Sequence, residues 1–502
     1  MKQNHPTKST TVVDKDTYDN YTNNSEKDIH FSYTVEEKKL LRKINITTLP
    51  FIFSIILFQY IDKTALNFSV VLGLFEDTKI TGSEFSWLGS IFYLGYLAFQ
   101  IPNQYFIQRF SLSKYLGVCL VLWGTILVCT ALAKNFSQLL VLRFFQGFFE
   151  AAVYPAIQLL FSTIYRRREQ VICFAMLVST NNLGTVVGSL IGFGFINLHG
   201  IHGLSGWKWC MIILGSLTIL LGITTFLFFP DRPTSKWYRI TPDEIFIVEE
   251  RLSDNCVIPN KTIKLDHIWE SLKDPRLYCY FFISLFLNMV NGCIGVFSTT
   301  IIKSMNFSNV LSMLLNIPLG FMGIALTVIA GYFNRHFNEN GYIAALSSIT
   351  CFTGILLLTV LSIGGIQLIG LYLSHIAPAY AITITMISNN VSGYTKKIFY
   401  NAVFLVGYCC GNFIGPLMIR PEEAPRYTTG MIGYLCGLII TTVLFLYLRW
   451  SYARDNRYRL QLKAGINNTP PSTAENDAKD QHVILEKEDL TDQQNLHFLY
   501  RP

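Results

Sequence analysis

The chain has 502 residues, of which 51% are hydrophobic and only 15% charged, and its mean hydropathy is +0.36. That balance excludes a soluble globular protein and describes a polytopic α-helical membrane protein, because its long uncharged runs can cross a hydrocarbon core of about 30 Å at 1.5 Å per residue. The net charge of +7 sits in the connections between runs, as loop anchors do, and not on a nucleic-acid-binding face.

In chain order, Met1 to His30 is polar and rich in Asn, Thr, Asp and Lys, without the pattern of a cleavable signal peptide. Thr34-x-x-Glu37 is a capping box expected to open a juxtamembrane helix. Apolar runs follow, centred near Ile56, Leu94, Leu122, Ala152, Gly184 and Leu217, then near Leu287, Ile324, Leu356, Ala379, Tyr408 and Leu438. This predicts twelve transmembrane helices in two six-helix bundles, over residues 44–230 and 277–450. A central loop (231–276) and tails (1–43 and 451–502) complete the chain.

One set of connections carries Arg109, Lys114, Arg166, Arg335, Lys396 and Lys397, with the basic central loop. The opposite set is poorer in Lys and Arg, so the basic side and both termini are expected in the cytosol. In the central loop, Thr241-x-x-Glu244 precedes Ile245, Val248 and Leu252, spaced as one face of a surface helix. From Gly465 onward the tail is polar and is expected to be mostly unstructured. Most cysteines, such as Cys119, Cys129, Cys173 and Cys410, lie in apolar runs, and no Cys-x-x-Cys occurs, so neither a disulfide framework nor a metal site is expected.

Gly184, Gly188 and Gly192 in the fifth run are matched by Gly407, Gly411 and Gly415 in the eleventh. Small residues every fourth position let helix backbones approach in lipid, and two triplets in equivalent runs point to an internal repeat. The prolines Pro155, Pro318, Pro378 and Pro416 are expected to kink or end helices.

Two runs carry charges. Asp62 and Lys63 follow Tyr60-Ile61 in the first, and Arg143 and Glu150 stand seven positions apart in the fourth, about 10 Å along one helix face. An ionisable group at mid-bilayer costs about 2.5–3.5 kcal/mol on insertion scales, so such groups face partners or a wet path. Two acids and two bases together fit a proton-linked carrier of small anions; the bland alternative is a structural ion pair such as Arg143–Glu150. No Walker loop, Ser-His-Asp set or His/Cys cluster is evident, so neither an enzyme nor a cofactor is expected.

Tyr60-Ile61-Asp62-Lys63, Arg143-x-x-x-Gly147-x-x-Glu150 with Pro155, Gly411-Asn412-Phe413-Ile414-Gly415-Pro416, Ala424-Pro425-Arg426-Tyr427 and the ending Asp489-Leu490-Thr491-Asp492…Asn495…Phe498…Tyr500 resemble the anion:cation symporter branch of the major facilitator superfamily, in its fungal allantoate-permease-like form. Departures are Lys63 where many relatives have Arg, and Gln108 and Ser111 in the loop that usually carries an acid and a glycine. The resemblance implies alternating access in a monomer, and a small organic anion such as an allantoate- or nicotinate-like carboxylate moved with protons across the lipid bilayer. It implies Asp62 and Glu150 as proton-coupling residues, with Lys63 and Arg143 supplying positive potential for the substrate. Tyr60, Asn182 and Asn412 are further substrate-binding candidates; Asn412, between two glycines, can read a carboxylate or hydroxyl, or simply bond a neighbouring helix. An uncoupled carrier and a non-transporting receptor on a carrier fold are the rivals. The expected location is the plasma membrane, with the endoplasmic reticulum or another internal membrane as the alternative.

Overall fold

The computed structural model describes residues 34–230, 235–241, 244–248, 264–466, 491–495 and 498–502. Within them the architecture is all-α, with twelve long helices at the twelve expected places. The first half holds α1 (Val35–Ser69), α2 (Gly82–Arg109), α3 (Leu112–Thr130), α4 (Phe136–Phe161), α5 (Arg167–Ile196) and α6 (Gly206–Phe228). The second holds α7 (Pro275–Ser304), α8 (Asn309–Phe337), α9 (Asn340–Val360), α10 (Gln367–Asn390), α11 (Tyr394–Leu417) and α12 (Thr428–Ile466). Eleven of these are apolar enough to cross a bilayer by composition. The other, α2, is long enough with 28 residues but carries Gln100 and Asn103, which are buried against protein, and Gln104 and Gln108, which are exposed near its end.

Both halves are assembled alike. In the first, α1 packs on α5, α2 on α4 and α3 on α6; in the second, α7 packs on α11, α8 on α10 and α9 on α12. The glycine triplets explain the first pair of each set. A Cβ at Gly184, Gly188 or Gly192 would meet Tyr60, Thr64 or Phe68 of α1, and one at Gly407, Gly411 or Gly415 would meet the carbonyls of Phe281, Leu285 or Met289 on α7. The repeat is therefore structural: each triplet seats the fifth helix of its bundle against the first.

Three of the four expected prolines mark helix breaks. α4 is interrupted at Ala151–Ala152, α8 at Leu315 and α10 before Ala377, and Pro155, Pro318 and Pro378 stand in the first turn after each. There the missing N–H is no loss. Asn103 of α2 donates to the Ala151 carbonyl at 3.3 Å and accepts from Tyr115 of α3 at 2.6 Å, so the break in α4 is held by two neighbours.

The two bundles meet midway along α2 and α11 and along α5 and α8, and again at the end away from the termini. Asn67 near the end of α1 donates to Ser298 at 2.5 Å and accepts from the Thr299 N–H at 3.1 Å, tying α1 to α7. Phe85 of α2 lies 5.5 Å from Phe297, Gly89 faces Val296, and Gly192 of α5 faces Met313 of α8.

The ends of the chain differ from expectation. Thr34 accepts from the Glu37 N–H at 3.2 Å as an N-cap, yet the helix it opens runs straight into the membrane span with no separate juxtamembrane segment. Glu244 is clamped by Lys43 at 2.7 Å and Val248 is buried against the first bundle, while Leu252 lies outside the described residues. At the far end, α12 continues to Ile466, and the last residues are packed, not free. Tyr500 stacks on Tyr452 at 4.8 Å, exchanges backbone bonds with Asn456, and donates to Asp492 at 2.8 Å. Asp492 in turn sits 2.8 Å from Lys396, a fully buried lysine also bonded to Glu270. Arg501 exchanges bonds with Asn390, and the Asn340 N–H reaches the Pro502 carbonyl. This strap fastens one end of α9, α10, α11 and α12 together. Tyr500→Ala should remove about 3 kcal/mol from this bundle, the usual cost of deleting a buried aromatic side chain. The check is the melting midpoint of purified protein, and an unchanged midpoint would mean the strap is peripheral.

Candidate functional site

The seat of α1 on the α5 glycines turns the middle of α1 toward α4. Since the two helices run in opposite directions, Gln59 and Lys63 face Glu150 while Asp62 faces Gln146. Lys63 Nζ lies 3.0 Å from Glu150 Oε1, and Gln59 Nε2 donates to the same oxygen at 2.9 Å. Glu150 is fully buried, whereas the Lys63 side chain is 17% exposed. The ammonium also lies 6.0 Å from the Tyr60 ring centre and 5.7 Å from that of Phe92.

The other two charges form a separate layer. Trp123 of α3 donates from Nε1 to Asp62 Oδ2 at 2.9 Å, and Gln146 donates to the same oxygen. Arg143 reaches Asp62 only through this glutamine, donating from Nη1 to Gln146 Oε1 at 2.7 Å. Its guanidinium stands 5.4 Å from the opposite neighbour, the Phe92 ring. The pairing is thus Lys63 with Glu150 and Arg143–Gln146–Asp62, and the Arg143–Glu150 ion pair weighed from the sequence is not the one formed. Both acids share a further feature. One carboxylate oxygen accepts two bonds, while Asp62 Oδ1 and Glu150 Oε2 are buried and accept none. Each can take a proton without breaking a bond.

Tyr60 belongs with this cluster, half-buried above Lys63 and against Gly184. The two amides do not. Asn182 of α5 donates to its own helix at the Val178 carbonyl, 3.2 Å, and its Oδ1 lies where a Cβ on Gly323 of α8 would be, at the seam between the bundles. Asn412 of α11 donates to Asn288 Oδ1 at 3.2 Å and accepts from Asn291 at 3.0 Å, so it bonds α11 to α7 inside the second bundle.

Residues 52–416 match the Major Facilitator Superfamily over most of the chain. The chain belongs to that superfamily. An uncharacterised transporter of Schizosaccharomyces pombe is 34% identical over 92% of this chain and 89% of its own length. In Saccharomyces cerevisiae, a thiamine pathway transporter is 29% identical (92% and 86% covered), and an allantoate permease is 29% identical (93% and 86%). Among solved structures, a D-xylose–proton symporter superposes with a TM-score of 0.60 at 14% identity, covering 81% of this chain and 97% of that one. A bacterial homologue of the human lysosomal transporter Spinster, solved inward-facing, gives 0.58 at 15% identity (83% and 96%). At such identities these two speak for the fold alone.

In and around the charged cluster stand four residues that the sequence reading missed: Gln59, Gln146, Trp123 and Tyr154. Gln59 and Gln146 had a signal: Gln59 is four positions before Lys63, and Gln146 lies between Arg143 and Glu150 at helical spacing, so both share a face with the charges. Trp123 had none, since an aromatic residue in an apolar run reads as packing until a partner for its N–H is known. Tyr154, after Glu150 on the second piece of α4, donates to Asn181 at 3.0 Å and lies within electrostatic reach of Lys63.

Proposed function

We propose that the chain is a proton-coupled symporter of a small organic anion, a carboxylate nutrient, carried into the cytosol across the plasma membrane. The observation that carries this reading is the Lys63–Glu150 pair: one fully buried carboxylate with an unused oxygen, held by an ammonium that keeps some access to the interior of the molecule. A substrate carboxylate arriving at Lys63 competes with Glu150 for the cation. Glu150, left buried without its counter-ion, then favours its neutral form and takes a proton on Oε2. Substrate and proton are thereby bound together and released together. Asp62 is the second proton site in this scheme, acting on Lys63's layer through Gln146 and Arg143, which adds positive potential. Asn182 and Asn412 then serve at the moving seam and in the second bundle.

The names of two relatives, an allantoate permease and a thiamine pathway transporter, support a nutrient as cargo. The bundles are tied together at the end away from the termini by Asn67 with Ser298 and Thr299 and by Phe85 with Phe297. Tags at Lys2, near Asn260 and at Pro502 should be protected in intact cells, and labelling of any from outside would refute the orientation.

The decisive test of function is uptake of a panel of organic anions at several external pH values. Accumulation that rises as the outside is acidified supports symport. Uptake that equilibrates without regard to pH means an uncoupled carrier, and signalling without uptake means a receptor.

A further inference from the structure

α12 outlasts the membrane. Of its 39 residues, about 20 counted from Thr428 suffice for the hydrocarbon core, which puts the far boundary near Tyr447 and Trp450. The outward face changes character there. Ile432, Ile439, Val443 and Leu446 are exposed aliphatic residues, and Trp450 follows on the same stripe, 54% exposed. Beyond it, still at helical spacing, come Arg454, Arg457 and Gln461, with Tyr458 alongside, all exposed. The opposite face, with Ser451, Tyr452, Asn456 and Arg459, is buried against Arg276 and the C-terminal strap. A lipid-facing stripe therefore runs through an interfacial tryptophan straight into a basic patch.

The patch is held in place by its neighbours. Arg449 donates to both oxygens of Glu339, in the turn before α9, at 3.0 and 3.3 Å, and lies 4.0 Å from the ring centre of Tyr342. Gly341 permits this approach, since a Cβ there would stand 2.5 Å from that of Arg449. Trp450 is set between Tyr447, 6.0 Å away, and the Arg454 guanidinium, 5.1 Å from its ring centre. Arg454 comes within 3.5 Å of one Asp455 oxygen, but Arg276 of α7 takes the other, and Arg454 stays 63% exposed. Arg457 has no acid partner among the described residues. Arg449, Trp450, Arg454, Arg457, Tyr458 and Gln461 line a cleft of about 300 Å³, within the size range of small-molecule sites. Glu339 neutralises Arg449 and Asp455 is committed to Arg276, so two guanidinium groups one turn apart are left over.

From this arrangement we infer that the cleft binds the headgroup of an inositol phospholipid, with phosphate on Arg454 and Arg457, ring hydroxyls toward Tyr458 and Gln461, and acyl chains along the aliphatic stripe of α12. Phosphate is the anion because the planar guanidinium fork matches its oxygens two at a time. The source is a lipid because the stripe that ends in the cleft is the one that acyl chains cover, and Trp450 marks the headgroup level between them. The headgroup is inositol and not choline, ethanolamine or serine, because those three bring an ammonium, and the acids beside the cleft, Glu339 and Asp455, already hold arginines. The site uses none of the residues around Lys63 and does not depend on what is transported. In the orientation proposed above it faces the cytosolic leaflet.

The test is calorimetric titration of the purified full-length protein, in neutral detergent, with dioctanoyl phosphatidylinositol 4-phosphate, dioctanoyl phosphatidylserine and the chain-free headgroup inositol 1,4-bisphosphate. The inositol lipid is expected to bind about tenfold or more tightly than phosphatidylserine, and about tenfold or more tightly than the free headgroup, which lacks the chains. An arginine near the headgroup is worth roughly fivefold, so the double variant Arg454→Gln with Arg457→Gln should weaken the inositol lipid about 20- to 30-fold. Both side chains are exposed, so the fold is not at stake. Arg420→Gln, in the loop at the other end of α12, should leave binding unchanged. Equal binding of the two lipids overturns the inositol assignment. Free headgroup binding as tightly as the lipid overturns the membrane source and makes the cleft a site for a soluble phosphate. Undiminished binding in the double variant, or no binding of the inositol lipid to native protein at about 100 μM, overturns the site.

Discussion

Glu150→Gln is expected to abolish pH-driven accumulation while leaving binding and exchange of substrate largely intact. Glutamine keeps the shape of the side chain and an oxygen that can accept from Lys63 and Gln59, as Glu150 Oε1 does at 3.0 and 2.9 Å. What it removes is the negative charge and the site at Oε2 that can gain a proton. One pH unit corresponds to 1.36 kcal/mol, so a carrier coupled to one proton sustains about tenfold accumulation per unit of gradient, and this factor is what the variant should lose. Reconstituted vesicles with an imposed pH gradient give the measurement. The same loss should not appear in counterflow, where no net proton movement is needed. Concentrative uptake by a folded, correctly located Glu150→Gln protein would remove Glu150 from the coupling scheme and leave Asp62 as the proton site.

Lys63→Ala is expected to have the larger effect on affinity. Truncation does two things at once: it removes the cation offered to the substrate and leaves Glu150 buried without its partner. Breaking one side of a buried pair typically costs about 3–5 kcal/mol, so the single variant should be less stable as well as inactive. The double variant Lys63→Ala with Glu150→Gln separates these effects, because no unpaired buried charge remains. It should regain stability and still fail to bind the anion. Lys63→Arg should retain part of the binding, since the charge is preserved but the guanidinium is broader than an ammonium and enters a space already bounded by Tyr60 and Phe92. Binding by purified protein is the readout, with folding checked first. If the double variant binds the anion like the native protein, Lys63 is only the structural counter-ion of Glu150, and the substrate charge must be met by Arg143.

The twelve helices, their division into two sixes and the glycine repeat were legible in the chain itself. Each is a local property: a run long enough for the bilayer must be a helix because its backbone groups have no other partner there, and small residues at fourth positions mark the line where another helix must lie. The charged positions were legible for the same reason, since the cost of placing Asp62, Lys63, Arg143 and Glu150 in apolar runs singles them out whatever surrounds them. Which charge meets which was not. Arg143 and Glu150 share a helix face, yet the antiparallel approach of α1 hands Glu150 to Lys63 and inserts Gln146 between Arg143 and Asp62. Likewise, the ending Thr491-Asp492…Tyr500 reads as polar tail by composition and becomes a strap only because Lys396, Arg459 and Asn456 wait for it on helices distant in sequence. Periodicity and insertion cost act along the chain, so sequence alone fixes them. Pairing depends on the rotation and direction of helices far apart in sequence, and only the packed bundles decide it.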